Sequence, residues 1–157
     1  MENKSEIYFS KEALQEMISV QGKIIDKIVI FLWQNLVDTN NSVEIIDALQ
    51  LRFTDGTNIT LGCNETSEGL DILNYKFKDV KQHLEEEFSG KIKIHALDAG
   101  KTKMWEDIGG KTLNAIQLTK EDGNYKADAV LLDFGTEKRS ISMSPYDGLV
   151  IDYYEED

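Results

Sequence analysis

Cys63, His83 and His95 are the side chains of this chain best suited to nucleophilic or metal chemistry. Cys63 alternates with Ile59 and Leu61, which puts it on the apolar face of a strand. A thiol there is an inert small hydrophobe, because a reactive one needs an electropositive, accessible setting. His83 stands between Gln82 and Leu84, beside the apolar stripe of a helix, and His95 alternates with Lys91 and Lys93 on the polar face of a strand. A metal site shared by these two would have to borrow Glu86 or Glu87, and a single cysteine excludes a multi-cysteine zinc site. Nothing in the spacing pairs Cys63 with either histidine as nucleophile and base.

Carboxylates are abundant, at 29 Asp plus Glu, so their pairing in sequence selects no acid–base couple. Glu85-Glu86-Glu87 reads as the solvated face of a helix. Gly100-Lys101-Thr102 and Gly110-Lys111-Thr112 share three letters with a phosphate loop. Both lack the earlier glycine at the required spacing, and the second leads into a predicted strand. The expectation is a protein with no catalytic residues, no metal site and no cofactor.

Charge narrows the function further. Seventeen Lys plus Arg against 29 acidic residues give a net charge of -12, which excludes a general binder of nucleic-acid phosphates. The acidity is uneven: residues 22–73 and 110–157 carry -5 each, whereas 74–109 is neutral. With 41% hydrophobic residues the chain can bury a core. No run approaches the ~18 apolar residues of a membrane span. Glu2, Glu6, Glu12 and Glu16 leave no room for the apolar region of a secretory signal. The expected setting is cytoplasmic and reducing, with no membrane contact.

The elements that must carry these residues follow from periodicity. Ser10 caps a predicted helix over 11–20 with Ala13, Leu14, Met17 and Ile18 at helical spacing. Phe77, Val80, Leu84 and Phe88 mark a second helix, and Met104, Trp105 and Ile108 a short third one over 102–108. A first strand places Ile24, Ile28, Ile30 and Leu32 on one face and Ile25, Val29, Phe31 and Trp33 on the other. Ile45, Leu49, Leu51 and Phe53 form the inward face of the next strand, and Asp55-Gly56 predicts a type I′ hairpin leading to Ile59, Leu61 and Cys63. Further strands are expected at 91–97, 112–119 and 125–134, with Asp122-Gly123 as the turn between the last two.

Four matches in the same order suggest an internal repeat. Residues 22–30 match 110–118, 47–53 match 128–134, 59–61 match 141–143 and 68–72 match 147–151. The expected fold is therefore a single α+β domain over 1–157. It consists of two tandem helix-β-β-β antiparallel meanders, about 10–73 and 102–154, related by a pseudo-twofold and bridged by a helix and a strand in 74–101.

Two surfaces stand out for binding. The chain's last residues, Tyr153, Tyr154, Glu155, Glu156 and Asp157, together with Tyr146 and Asp147 in a preceding turn, form an acidic-aromatic edge. Tyrosine is enriched in interfaces and carboxylates steer basic partners. Phe31 and Trp33 are the second surface: either a helix covers them, or they form a partner patch or homodimer interface.

A small acidic protein of β-meanders around one or two helices, with no catalytic set, resembles the immunity proteins of bacterial toxin–immunity systems. The segment Trp105-Glu106-Asp107-Ile108-Gly109-Gly110-Lys111, leading into Asp128–Phe134, is similar in style to bacterial domains of that context. The resemblance implies a non-enzymatic inhibitor that occludes a basic toxin or effector, and it carries no residue roles. Two other classes fit the same chain. One is a phage-type anti-defence protein or nucleic-acid mimic acting on DNA-binding enzymes. The other is a small-ligand-binding or enzymatic α+β domain with its site between the meanders.

Overall fold

The computed structural model describes residues 8–37, 43–64, 68–144 and 147–154. Two helices and a curled, mostly antiparallel sheet make an α+β fold. Helix α1 (Lys11–Val20) starts where the Ser10 hydroxyl accepts the Ala13 N–H at 3.1 Å. It is followed by β1 (Ile25–Asn35), β2 (Val43–Phe53), β3 (Asn58–Cys63) and β4 (Leu70–Ile72), each antiparallel to the one before. Helix α2 (Phe77–Phe88) leads to β5 (Ile92–Asp98), which returns to pair with the free side of β1.

The remaining strands are β6 (Ala115–Gln117), β7 (Lys120–Glu121), β8 (Asn124–Tyr125), β9 (Ala129–Asp133), β10 (Lys138–Ser144) and β11 (Gly148–Tyr153). β7 and β8 form a separate two-stranded ribbon, while β6, β9, β10 and β11 are successive antiparallel neighbours. β11 then joins β2 in parallel at Ile46. A Cβ on Gly148 would lie 2.5 Å from the Ile46 carbonyl oxygen, and its φ is +71°, so this junction requires glycine.

The sheet curls so that the segment leading into β1 meets the one leading into β6. Ile24 bridges Thr112, flanked by bonds from Gly22 N to the Leu113 oxygen (2.7 Å) and from Ile25 N to the Lys111 oxygen (2.9 Å). The interior holds Leu49, Leu51, Phe53, Leu61, Trp105, Ile108, Leu113, Leu132 and Ile141, with Ala13, Met17 and Val20 of α1 packed against them. A smaller apolar cluster lies on the opposite side of β1, β2 and β5, where Val29, Phe31, Ala48 and Ile94 are covered by Tyr75 and by Phe77, Val80 and Leu84 of α2.

Two bulges shift the expected faces. Ile25 opposes Phe53 and Lys27 opposes Arg52, so Asp26 is an extra residue in β1. The extra residue moves Ile25 inward, to 1% exposure, and turns Ile24 outward, to 43%. Likewise Phe31 opposes Ala48 and Leu32 opposes Ile46, leaving Asp47 as the extra residue of β2. Ile46, rather than the expected Ile45, therefore packs on the interior with Leu49. At the same place β2 changes partners, from β3 over 48–52 to β11 at Ile46.

Other expectations are corrected. Residues 102–108 form successive turns, not a helix, through bonds such as Trp105 N to the Thr102 oxygen and Ile108 N to the Trp105 oxygen. Seven residues ended by two glycines are too short to sustain a regular helix. The predicted strand 112–119 is regular only over β6, and 125–134 is divided between β8 and β9. The Asp55-Gly56 hairpin is not type I′. Gly56 N bonds the Phe53 oxygen and Phe53 N the Thr57 oxygen, and Gly56 alone has positive φ, a type I turn closed by a G1 bulge. The type I′ geometry occurs instead at Asp122-Gly123, where both φ values are positive, within the β7–β8 ribbon.

The two four-strand runs are unequal. β1 has 11 residues and β6 three, and the second run has no preceding helix. The tandem-repeat relation is therefore not established by the fold.

Candidate interaction site

The side chains suited to catalysis lie apart. Cys63 is half-buried on β3, and burial, aided by the charge of Asp47, pushes its thiol upward, away from the reactive thiolate. His83 lies exposed on α2, 2.7 Å from Glu87, four residues along the same helix. His95 on β5 places Nε2 3.0 Å from Gln34 Oε1. Among the described residues no three His, Cys, Asp or Glu side chains converge as a metal site.

The expected acidic-aromatic edge is divided by the strand that carries it. Asp147 precedes β11 and Tyr153 ends it, so six strand residues hold them about 20 Å apart. Tyr146, Glu155, Glu156 and Asp157 lie outside the described residues. Tyr153 and Tyr154 are 53% and 45% exposed.

Tyr153 owes its setting to a residue that the sequence reading missed. Arg139 on β10 opposes Tyr153 across the ladder, as Ile141 opposes Ile151 and Met143 opposes Leu149. This face of β10 and β11 is the inward one, so Arg139 extends the core and is 2% exposed. Its Nε donates to the Met104 oxygen at 2.8 Å, and its Nη1 donates to the Lys138 oxygen (2.8 Å) and to Glu137 Oε2 (3.0 Å). The guanidinium carbon lies 4.5 Å from the Tyr153 ring centroid, a cation–π contact. The signal was present in the alternation Arg139, Ile141, Met143, which puts an arginine in phase with two core residues.

The result is an aromatic ring fixed on one side and open on the other. Tyr154 N donates to the Lys138 oxygen at 3.2 Å, which holds the end of β11 against β10. A tyrosine already ordered loses little entropy when a partner covers it. No family model, curated protein or solved structure matches the chain.

The second expected surface is closed within the chain. Phe31 is 3% exposed, stacked on Tyr75 (centroids 4.4 Å apart) and on Phe77 (5.6 Å). Trp33 packs half-buried on the same cluster. Of the two readings of this face, cover by a helix is the one observed. Tyr75 completes the cover: its hydroxyl donates to Asp47 Oδ2 at 2.7 Å, and burial first, then the Asp47 charge, push the phenol well above its ordinary range.

A cleft of about 520 Å³ lies between α1 and the β3–β4 side of the sheet, lined in part by Glu16, Lys23, Thr57, Asn58 and Asn74. Lys23 Nζ is already engaged, by Thr57 Oγ1 at 2.8 Å and Asp55 Oδ2 at 3.0 Å. Bonds from the Thr57 hydroxyl and N–H, with Lys23 beside them, hold the Asp55 carboxyl down at about 2. At this end of the cleft Lys23 is therefore held in a satisfied ion pair. No helix among the described residues is long and apolar enough to cross a membrane.

Proposed function

We propose that the protein is a non-enzymatic inhibitor of the immunity type, which binds and occludes a basic protein partner through a surface centred on Tyr153 and Tyr154. The observation that carries this reading is the Tyr153 ring, half exposed while its guanidinium neighbour is buried and hydrogen-bonded. Aromatic anchors on a rigid support are what interface hot spots are made of. The net charge of -12 supplies the second part, long-range attraction for a basic partner. Glu155, Glu156 and Asp157 add carboxylates next to the two tyrosines in sequence. The mechanism is steered encounter followed by burial of the rings against the partner's basic site. The reading places the protein in a bacterial cytoplasm, where no cofactor takes part.

We also read the two strand runs as copies of one unit, with Leu51 and Leu132, and Phe53 and Phe134, in matching places. All four are buried in one core.

The test is association kinetics, across a salt series, with basic proteins encoded in the genes that flank this one. The on-rate should fall steeply with salt, since the screening length drops from about 10 Å at 0.1 M to about 3 Å at 1 M. Reversing the charges of Glu155, Glu156 and Asp157 should lower the on-rate, and Tyr153→Ala or Tyr154→Ala should raise the off-rate. A salt-insensitive on-rate, or unchanged kinetics in both tyrosine variants, would overturn the proposal.

A further inference from the structure

Helix α2 is held less firmly than the sheet it covers. None of its 12 residues is buried, and only Phe77, Val80 and Leu84 are partly covered. Phe88, next in the apolar stripe, is 37% exposed. A groove of about 220 Å³, lined by Lys81 and Glu85 of the helix and by Ile92 and Ile94 of β5, leaves their contact incompletely packed. Helix α1, by contrast, buries Ala13, Met17 and Val20 and carries a serine cap. A helix as short as α2 is marginal by itself and depends on the face it buries.

Both ends of α2 weaken it further. Lys76 at the N-cap makes no side-chain cap bond, and Lys78 adds a cation to the first turn, where Asp79 is the one carboxylate. At the other end Ser89 takes a left-handed φ of +53°, which a residue with a Cβ disfavours, and Gly90 follows at +79°. Loss of the helix releases that constraint.

The residues on either side are fixed by other bonds. Tyr75 stacks on Phe31 at 4.4 Å and donates its hydroxyl to Asp47 Oδ2 at 2.7 Å. The Lys91 oxygen accepts from Leu36 N at 2.7 Å. The floor beneath is equally independent, since β1 is held by its ladders with β2 and β5, in which α2 takes no part. Residues 76–90 can therefore lose their helical structure while Tyr75, Lys91 and the strands keep their places. That change uncovers Ile94 and the side of Phe31 on which Phe77 stacks at 5.6 Å; both residues are 3% exposed when the helix is in place.

We propose that α2 is a detachable cover: residues 76–90 open as one unit, by local unfolding between Tyr75 and Lys91, and bare the aromatic face of β1 while the sheet stays folded. Elements with few buried apolar contacts are the ones that open locally. The cover lies on other elements than the Tyr153 site, and neither proposal depends on the other.

The test is native-state hydrogen exchange of the full chain, read residue by residue by NMR. The amides of residues 81–88, bonded within the helix, should share one opening equilibrium. Corrected for intrinsic rates, they should exchange about tenfold faster or more than those of Leu49 and Leu51 at the centre of β2. Low urea should accelerate Leu49 and Leu51 while leaving the α2 amides nearly unchanged, because a local opening exposes little new surface. Lys78→Glu should slow the whole set, from Lys81 to Phe88, by about two- to fivefold, the scale of a reversed charge at a helix N-terminus. Leu84→Ala should speed the same set. Protection of the α2 amides equal to that of Leu49 and Leu51, or protection that fades inward from the helix ends with Lys78→Glu felt only beside the substitution, would overturn the inference.

Discussion

The guanidinium of Arg139 lies 4.5 Å from the ring of Tyr153, so a buried cation and a half-exposed aromatic ring share one end of the core. The same arginine bonds the Met104 oxygen, which ties β10 to the turns that carry Trp105 and Ile108 inward. Its loss should therefore be felt both in stability and at the surface. Arg139→Met keeps apolar volume but removes the donors to Met104 and Glu137. It should destabilise by roughly 2–4 kcal/mol in urea unfolding, because the Met104 carbonyl is left without its partner and the turns lose their tether. Tyr153→Leu should cost about 1 kcal/mol, the scale of a cation–π contact.

Leu51 and Leu132 are both 0% exposed in the main core. Leu51→Ala and Leu132→Ala should each cost roughly 2–5 kcal/mol, the range for a buried leucine whose cavity does not collapse. Chemical denaturation of the two variants measures this, and a near-zero cost at either site would contradict the packing.

Tyr75 predicts alkaline instability. Its folded-state pKa is raised above the ordinary 10.0, so the folded chain holds this proton more tightly than the unfolded one. The stabilisation is complete below pH ~10 and is lost as pH rises beyond it, where only the unfolded phenol ionises. Unfolding free energy measured from pH 8 to 11 should therefore fall with pH, and Tyr75→Phe should flatten that slope.

Asp55 predicts the opposite limb. Its folded-state pKa is lowered to about 2 from 3.8, so its stabilisation is present above the unfolded value and disappears as pH falls through the folded one. Acid unfolding of Asp55→Asn should show a weaker pH dependence between pH 4 and 2 than the parent chain.

At the ends of helix α2 most charges oppose the helix dipole, Asp79 in the first turn being the exception. Lys76 stands at the N-cap without a side-chain cap bond, Lys78 follows in the first turn, and Glu85, Glu86 and Glu87 fall in the last. Cations at a helix N-terminus are unfavourable. Lys78→Glu should stabilise the protein by about 0.3–1 kcal/mol in thermal or urea unfolding, despite adding two units to an already negative chain. The helix stays in place because Phe77, Val80 and Leu84 cover Phe31, a contact that outweighs the local electrostatics.

Both helices were legible in the residues, since a capping serine and a period of 3.6 are local signals: α1 begins after Ser10, and α2 spans Phe77–Phe88. Strand identity was legible where alternation ran unbroken, as in Leu49, Leu51 and Phe53. The half-buried place of Cys63, in phase with Ile59 and Leu61, was equally available from pattern alone. What required the tertiary structure were relationships between distant segments. The bulges at Asp26 and Asp47 are set by register with a partner strand, and each inverts which side of the strand is inside. The parallel junction at Gly148 and the closure of Ile24 on Thr112 join residues about a hundred positions apart, for which no local pattern exists. Arg139 shows the same division within one residue. Alternation placed it on the inward face, but only the arrival of the Met104 carbonyl and the Glu137 carboxylate makes a buried guanidinium tolerable there, and it is their geometry that fixes the Tyr153 ring.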